Sequence, residues 1–129
     1  MNKLVPTLPL IFLVVLAGCT SKSSTSGTPT GKEYQVDMTS AGFSPKQPSI
    51  KAGDTVVFVN KDASSHWPAS DIHPAHNVYP EKGGCIGSKF DACKGLKQGE
   101  NYSFAFFQKG SWCYHDHLNP NLKGCVDVQ

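Results

Sequence analysis

The chain has 129 residues, with 12 basic residues, 10 acidic residues and a formal net charge of +2. This near balance leaves no basic stripe, so we do not expect nucleic-acid binding. Gly and Pro are frequent, long helical periods are missing, and Val, Phe, Tyr and Thr fall in short alternating runs. Length and pattern together predict one small all-β domain.

Residues 1–18 are typical of a bacterial signal peptide. Lys3 precedes an apolar run from Leu8 to Leu16 that is too short for a comfortable transmembrane helix. The four residues from Leu16 to Cys19 are similar to a lipobox, which predicts cleavage before Cys19 and a diacylglycerol on its thiol. An ordinary signal peptide with an incidental Cys is the alternative. We therefore expect a lipid-anchored domain in the cell envelope, facing the periplasm or the cell exterior.

A tether and the folded domain follow the signal peptide. Residues 19–31 combine the lipidated Cys with a Ser/Thr/Gly-rich linker, whose reach is roughly 20 Å. In the domain, residues 32–129, positions 34–38 alternate between apolar and polar, as in a half-buried strand. Residues 55–60 are β-branched and aromatic, which predicts a second strand. The chain then leaves the sheet and presents His66 at its rim.

The second half of the domain contains a long irregular stretch between two groups of strands. This stretch covers residues 67–98, and loops of such length are often functional. A strand opens at Gly99, with its aromatic residues facing one way. We predict the last strand at residues 124–129.

One strand near the C-terminus carries the strongest functional signal. Trp112 and Tyr114 alternate with Cys113 and His115, so one face is apolar and the other polar. His115 and His117 fall on the polar face while the strand lasts. Two imidazoles side by side at a strand end make half of a metal site, although ordinary solvated histidines are the alternative.

All five histidines lie between positions 66 and 117, which favours a metal site. His73 and His76 are three residues apart in the irregular stretch and fit two interpretations equally well, metal ligands or surface residues. Asp71 and Asp116 are candidate oxygen ligands, or partners that hold an imidazole tautomer. With nitrogen and oxygen ligands, copper leads on the affinity order and zinc is the runner-up.

A series of short motifs runs through the domain in a fixed order. They are Phe43-x-Pro, Ala52 to Asn60, His66, Gly99-Glu-x-Tyr-x-Phe-x-Phe, Gly110-x-Trp-x-Tyr and Gly124-x-Val-x-Val. This series resembles the cupredoxins, the family of plastocyanin and azurin, over nearly all of residues 33–129. The resemblance implies a Greek-key β-sandwich with a metal at one end, under the loops.

The ligand positions of that family are altered in this sequence. Asp116 stands where blue copper proteins have their thiolate, Asn119 where they usually have a second His, and Gly124 where plastocyanin has its axial Met. Only His66 matches a family ligand. The resemblance therefore implies a site different from the trigonal His₂Cys site that gives blue copper its colour.

A second resemblance concerns the histidine pair. The stretch from Trp112 to His117 is similar to the Tyr-His-Ser-His motif of multicopper oxidases, which are built from cupredoxin domains and hold non-blue coppers. By this resemblance His66, His115 and His117 are imidazole ligands. His73 or His76 would complete the shell.

Four cysteines remain apart from Cys19, and an even set outside the cytoplasm predicts two disulfides. Cys113 and Cys125 face outward on two connected strands if the apolar residues beside them point to the core. They can then meet across an antiparallel pair, which leaves Cys85 to join Cys93. The alternative is a zinc knot of Cys85, Cys93 and a nearby His, although their spacing is unlike the usual zinc pairs.

These observations predict a lipid-anchored protein with a His-rich, non-blue site that holds or hands over copper. An electron carrier, which the cupredoxin resemblance implies, and a structural or interaction domain without metal are the alternatives. The sequence has no nucleophile with an adjacent base and no phosphate-binding loop, so we do not expect an enzyme. The expected partners are the membrane, through the anchor, and a redox or copper-transfer protein.

Removal of the proposed lipid attachment site tests the anchoring prediction. We expect Cys19→Ser to abolish lipidation and release the domain from membranes, because the thiol carries the acyl chains. Membrane fractionation after a high-salt wash measures this release. A variant that stays with the membranes after the wash would contradict the lipobox assignment.

Overall fold

The computed structural model describes residue 29 and residues 31–129, so the predicted signal peptide, Cys19 and most of the predicted linker lie outside the described residues. Two four-stranded sheets pack face to face, one in the order β2-β1-β4-β6 and the other in the order β3-β8-β7-β5. The strands are β1 (Glu33–Thr39), β2 (Gly42–Ser44), β3 (Ser49–Ile50), β4 (Thr55–Asn60), β5 (Pro68–Ser70), β6 (Asn101–Ala105), β7 (Gly110–Asp116) and β8 (Asn119–Val128). Within the described residues, no helix is long and apolar enough to cross a membrane.

Alternating burial along the strands explains why they form a sandwich. In β4, Val56 and Phe58 are fully buried, whereas Thr55 and Val57 are only half-buried. Such a two-residue period gives a sheet one apolar face, which must be covered by another layer. The strand pairs with β1 in parallel and with β6 antiparallel. The predicted all-β sandwich is confirmed.

Two aromatic residues anchor the long stretch between β5 and β6 in the core. Phe90 is fully buried, and its ring centroid lies 5.7 Å from that of Phe58 and 5.6 Å from that of Tyr114. Tyr79 is 1 % exposed, and its hydroxyl accepts a hydrogen bond of 3.3 Å from the backbone N–H of Phe107. Burial of one large apolar side chain contributes about 1.5–3 kcal/mol. The stretch is therefore fixed at two points, although little of it is regular.

The strands differ from the sequence prediction at three places, the first being β6, which begins at Asn101 rather than at Gly99. The short strand β5 forms inside the stretch predicted to be irregular, because Pro68 to Ser70 pair with the end of β7. Strand β8 begins at Asn119 rather than at Gly124. A register shift between His115 and Asp116 brings Asn119 opposite Asp116, so pairing extends into a segment without an apolar pattern.

Both predicted disulfides are present. Cys113 and Cys125 are direct partners in the antiparallel β7–β8 ladder, with their Cα atoms 3.9 Å apart. Cys85 and Cys93 are joined within the long stretch, with a Cα separation of 5.7 Å. The alternative of a zinc knot is wrong, because both sulfur atoms are joined to each other.

Two buried hydroxyls have no hydrogen-bond partner among the described residues, those of Ser88 and Tyr114. Tyr114 is fully buried, and its hydroxyl lies opposite Gly124 on β8. A Cβ atom at Gly124 would come within 2.5 Å of that hydroxyl, so glycine makes the room for the ring. Burial raises the pKa of Tyr114, so the hydroxyl keeps its proton. An unsatisfied buried polar group of this kind costs about 1–3 kcal/mol.

We expect Tyr114→Phe to raise the free energy of unfolding by about 1 kcal/mol, because it removes the unpaired hydroxyl and keeps the ring. The matched control is Tyr79→Phe, which removes a hydroxyl that accepts backbone hydrogen bonds and should lower stability. Urea unfolding measures both changes. Equal losses of stability in the two variants would show that the Tyr114 hydroxyl is satisfied in solution.

Candidate metal centre

Four histidines converge on one point at the end of the second sheet. One ring nitrogen from each of them lies within 4.8 Å of every other. The four residues are His73, His76, His115 and His117. Two are fully buried, one is half-buried and His73 is exposed. The cluster is therefore enclosed by the protein at His76 and His115 and reaches solvent at His73.

The spacing of these nitrogens fits one four-coordinate metal ion. His73 Nδ1 lies 3.3 Å from His115 Nε2, and His117 Nδ1 lies 3.0 Å from His76 Nε2. Metal–nitrogen bonds of about 2.0–2.1 Å place neighbouring ligand nitrogens about 2.9–3.4 Å apart and opposite nitrogens of a planar site about 4.1 Å apart. These two separations lie in the range for neighbouring ligands, and every other pair of nitrogens lies within 4.8 Å. Because all four imidazoles direct a ring nitrogen toward the same point, the arrangement favours binding of a cation there over hydrogen bonding among the rings.

Strand pairing explains how residues distant in sequence reach the same face. Ala69 of β5 lies directly opposite His115 of β7 and, on its other edge, opposite Asp91. Residues directly opposite in a ladder point to the same side of the sheet. His115, Ala69 and Asp91 therefore form one row, and the small methyl group of Ala69 leaves space above the row for imidazole rings.

The segment after β5 folds back to deliver the other two histidines. The N–H of His76 donates to the carbonyl of Ile72 at 2.9 Å, and the N–H of Val78 donates to that of Asp71 at 2.8 Å. His76 has a φ of 48°, a left-handed conformation that non-glycine residues rarely adopt and that clusters at functional sites. A Cβ atom at Gly87 would overlap the carbonyl oxygen of Ala75, so this close packing requires glycine.

Two carboxylates fix the orientation of the buried rings. His115 Nδ1 lies 2.8 Å from Asp71 Oδ1, and His76 Nδ1 lies 2.6 Å from Asp91 Oδ2. Since a carboxylate accepts a hydrogen bond from Nδ1–H, the lone pair of each ring is on Nε2, which faces the cluster. This carboxylate–histidine arrangement is the usual support of metal-binding imidazoles.

Asp91 is a functional residue that the sequence interpretation missed. Its carboxylate also accepts hydrogen bonds from Trp67 Nε1 at 2.6 Å and from the backbone N–H of Cys93 at 2.8 Å. The sequence signal was an acidic residue directly after Phe90, a position that the pairing with β5 buries. Without that pairing, Asp91 looks like any loop carboxylate.

His66, which the family resemblance implies as a ligand, lies outside the four-histidine cluster. Its Nδ1 is 2.7 Å from Asp116 Oδ2, and its Nε2 is 3.3 Å from Asp62 Oδ1. Asp116 also accepts hydrogen bonds from the backbone N–H groups of Trp67 and Leu118, at 2.8 and 3.0 Å. The His66–Asp116 pair lies on the opposite face of the sheet from His115, because successive side chains along β7 alternate in direction.

Burial favours the neutral form of two rings of the cluster, those of His115 and His117. Burial lowers the pKa of His115, and this effect outweighs the opposing influence of Asp71. Burial also lowers the pKa of His117, and the positive charge of protonated His76 and His73 lowers it further. Neutral imidazole is the form that binds a metal ion, so the lowered pKa values of His115 and His117 favour metal binding by these two rings.

Comparisons with known proteins identify the class of fold. No model of a known protein family matches the chain. The chain is 28 % identical over 96 residues to amicyanin of Paracoccus denitrificans. This alignment covers 73 % of this chain and 63 % of amicyanin. The chain thus spans less than two thirds of that relative.

Solved structures of amicyanin share the fold. A reduced tryptophan-to-tyrosine variant superimposes with a TM-score of 0.62 at 22 % identity, over 75 % of this chain and 82 % of the variant. A reduced Cu(I) form at pH 4 of a proline-to-glycine variant superimposes with a TM-score of 0.57 at 23 % identity. The match covers 74 % of this chain and 80 % of the variant. The predicted cupredoxin-like fold is confirmed.

The lowered histidine pKa values predict a pH dependence of stability. An unfolded histidine titrates near ~6.5, so the unfolded chain takes up protons before these folded rings do. The contribution is therefore complete above about pH 6.5 and is lost as the pH falls below it. We expect the metal-free wild type to lose more thermal stability between about pH 7.5 and about pH 5.5 than His117→Gln. Thermal unfolding in a chelator measures this, and equal losses would contradict it.

Proposed function

We propose that the protein is an extracytoplasmic, lipid-anchored copper-binding cupredoxin that holds one ion with four imidazoles. The ligands are His73, His76, His115 and His117. The observation that carries this proposal is the convergence of their four ring nitrogens within 4.8 Å, two of them oriented by carboxylates. The role that this centre supports is copper binding or transfer to another protein.

The ligand set and the comparisons favour copper over other metals. Four nitrogen donors without a thiolate suit copper(II) ahead of zinc on the affinity order of divalent ions. The solved amicyanins that share this fold include Cu(I) forms. Since the sulfurs of the nearby Cys113–Cys125 pair are joined to each other, no thiolate is available there to give an intense blue colour. We expect a pale, tetragonal copper(II) site.

Carboxylates of the protein orient two of the ligand rings, and all four histidines supply nitrogens to the ion. Asp71 and Asp91 keep His115 and His76 in the tautomer that presents Nε2 to the cluster. His117 and His73 present Nδ1 and need only move their proton to Nε2. When bound, copper supplies a centre able to change between two oxidation states.

Electron transfer is the second candidate function. Amicyanin structures of this fold are known in both reduced and oxidised states, which supports redox cycling in such a scaffold. Reversible voltammetry of the copper-loaded protein distinguishes an electron carrier from a protein that only stores or transfers copper. A redox or copper-transfer protein at the membrane is the partner class in either case. A domain without metal is the outcome if copper analysis finds none.

Paired histidine substitutions test the position of the copper. We expect His117→Gln to weaken copper(II) binding more than about tenfold, since even the outer partners of metal ligands contribute about 10- to 100-fold. The matched control is His66→Gln, a buried histidine near the same strand end whose nitrogens both face carboxylates. Its affinity should stay close to that of the wild type. Competition titration with a chelator measures both.

The spectrum of the bound copper gives a second measurement. Paramagnetic resonance of the wild type should show a tetragonal copper(II) with nitrogen ligands. An intense blue colour, or a loss of binding in His66→Gln equal to that in His117→Gln, would show that copper binds at the family's usual position.

A further inference from the structure

Trp67 is linked to two of the four proposed ligands. Its indole ring lies against the ring of His117, with a centroid separation of 4.4 Å. Its Nε1–H donates a hydrogen bond of 2.6 Å to Asp91 Oδ1, and Asp91 Oδ2 lies 2.6 Å from His76 Nδ1. One side chain is therefore linked to His117 by ring contact and to His76 through a shared carboxylate.

These contacts close into a ring of four groups. The remaining link is the 3.0 Å approach of His117 Nδ1 to His76 Nε2. Rotation of either imidazole therefore disturbs the indole, and displacement of the indole disturbs both imidazoles. Hydrogen-bonded side-chain networks of this kind act as units rather than as independent pairs.

The backbone holds Trp67 in place before any ion binds. Its N–H donates to Asp116 Oδ1 at 2.8 Å, and its carbonyl accepts from the N–H of His117 at 2.7 Å. Asp91 is fixed separately by its bridge to Ala69. The indole is thus anchored by groups on both faces of the sheet, which gives it a definite position relative to the cluster.

We propose that Trp67 is a positioning residue of the metal centre, which sets the orientation of His76 and His117 together. This inference rests on the proposed function, because it assigns a role at the same site. The indole N–H holds Asp91 so that its second oxygen keeps the Nδ1 proton of His76. The indole face limits the rotation of His117. A residue that only filled space would do neither.

The test compares Trp67→Phe with Trp112→Phe. Phenylalanine at position 67 keeps an aromatic face beside His117 but removes the donor to Asp91. Trp112 is the matched control, since its indole donates to the carbonyl of Gln108 and packs against Tyr79 instead. Nitrogen NMR of the histidine rings in the metal-free protein reports tautomers directly. We expect changed His76 and His117 signals in Trp67→Phe, an unchanged His115 signal, and no change in Trp112→Phe.

Copper binding provides the second arm. Trp67→Phe should lower copper(II) affinity by about 10-fold and shift the hyperfine splitting of the paramagnetic resonance spectrum, as loss of an outer partner does. Trp112→Phe should leave both unchanged. If Trp67→Phe does not fold, Trp67→Tyr, which keeps a ring but moves its donor, is measured in the same way with the same expectation.

The outcomes separate the two proposals. A lower melting temperature with unchanged histidine signals and an unchanged copper spectrum would show a purely structural role for Trp67 and overturn the inference. If the wild type binds no copper, the proposed function fails, while the nitrogen signals of the metal-free protein still decide whether Trp67 orients the two rings.

Discussion

The alternation of side chains along β7 is the constraint on which the rest of the site depends. Tyr114 and Asp116 point into the sandwich, whereas His115 and His117 are directed to its other side. Two polar sites therefore lie on opposite faces of the sheet at the end of the same strand. The inner position holds the His66–Asp116 pair, and the outer position holds the four-histidine cluster.

The His66–Asp116 pair is connected to the outer position by hydrogen bonds of Asp116. Asp116 binds the ring of His66 and the backbone N–H groups on either side of the outer cluster, those of Trp67 and Leu118. A thiolate at this position would make weaker hydrogen bonds to those groups, whereas a carboxylate has two oxygens to share among them. By the cupredoxin resemblance, Asp116 stands at the thiolate position of blue copper proteins, and in this chain its carboxylate accepts hydrogen bonds from the backbone of Trp67 and Leu118.

The outer position depends on the long stretch between β5 and β6. Tyr79 and Phe90 tie this stretch to the core, and the Cys85–Cys93 disulfide closes its end around Asp91. The stretch thus supplies two histidines and both supporting carboxylates, Asp71 and Asp91. Strand β7 supplies His115, and His117 lies in the turn directly after it, so the site joins a strand end to an anchored loop.

Much of this could be predicted from local pattern, and the rest depends on long-range pairing. The strand Thr55–Asn60 and the Cys113–Cys125 pair follow from a two-residue period, which the sequence displays directly. The face of the sheet on which His66 lies cannot be predicted from this period, because it depends on how β5 pairs with β7. The role of Asp91 requires the further bridge to Ala69, between segments that are 22 positions apart (91 − 69). The start of β8 at Asn119 likewise follows from pairing rather than from apolar residues.

The central claim is that the ion binds on the outer side of β7 rather than at the position of His66. Anomalous diffraction at the copper absorption edge from copper-soaked crystals tests this most directly. We predict one strong peak among the inward nitrogens of His73, His76, His115 and His117. A peak against His66 Nε2, with none at the four-histidine cluster, would contradict the account.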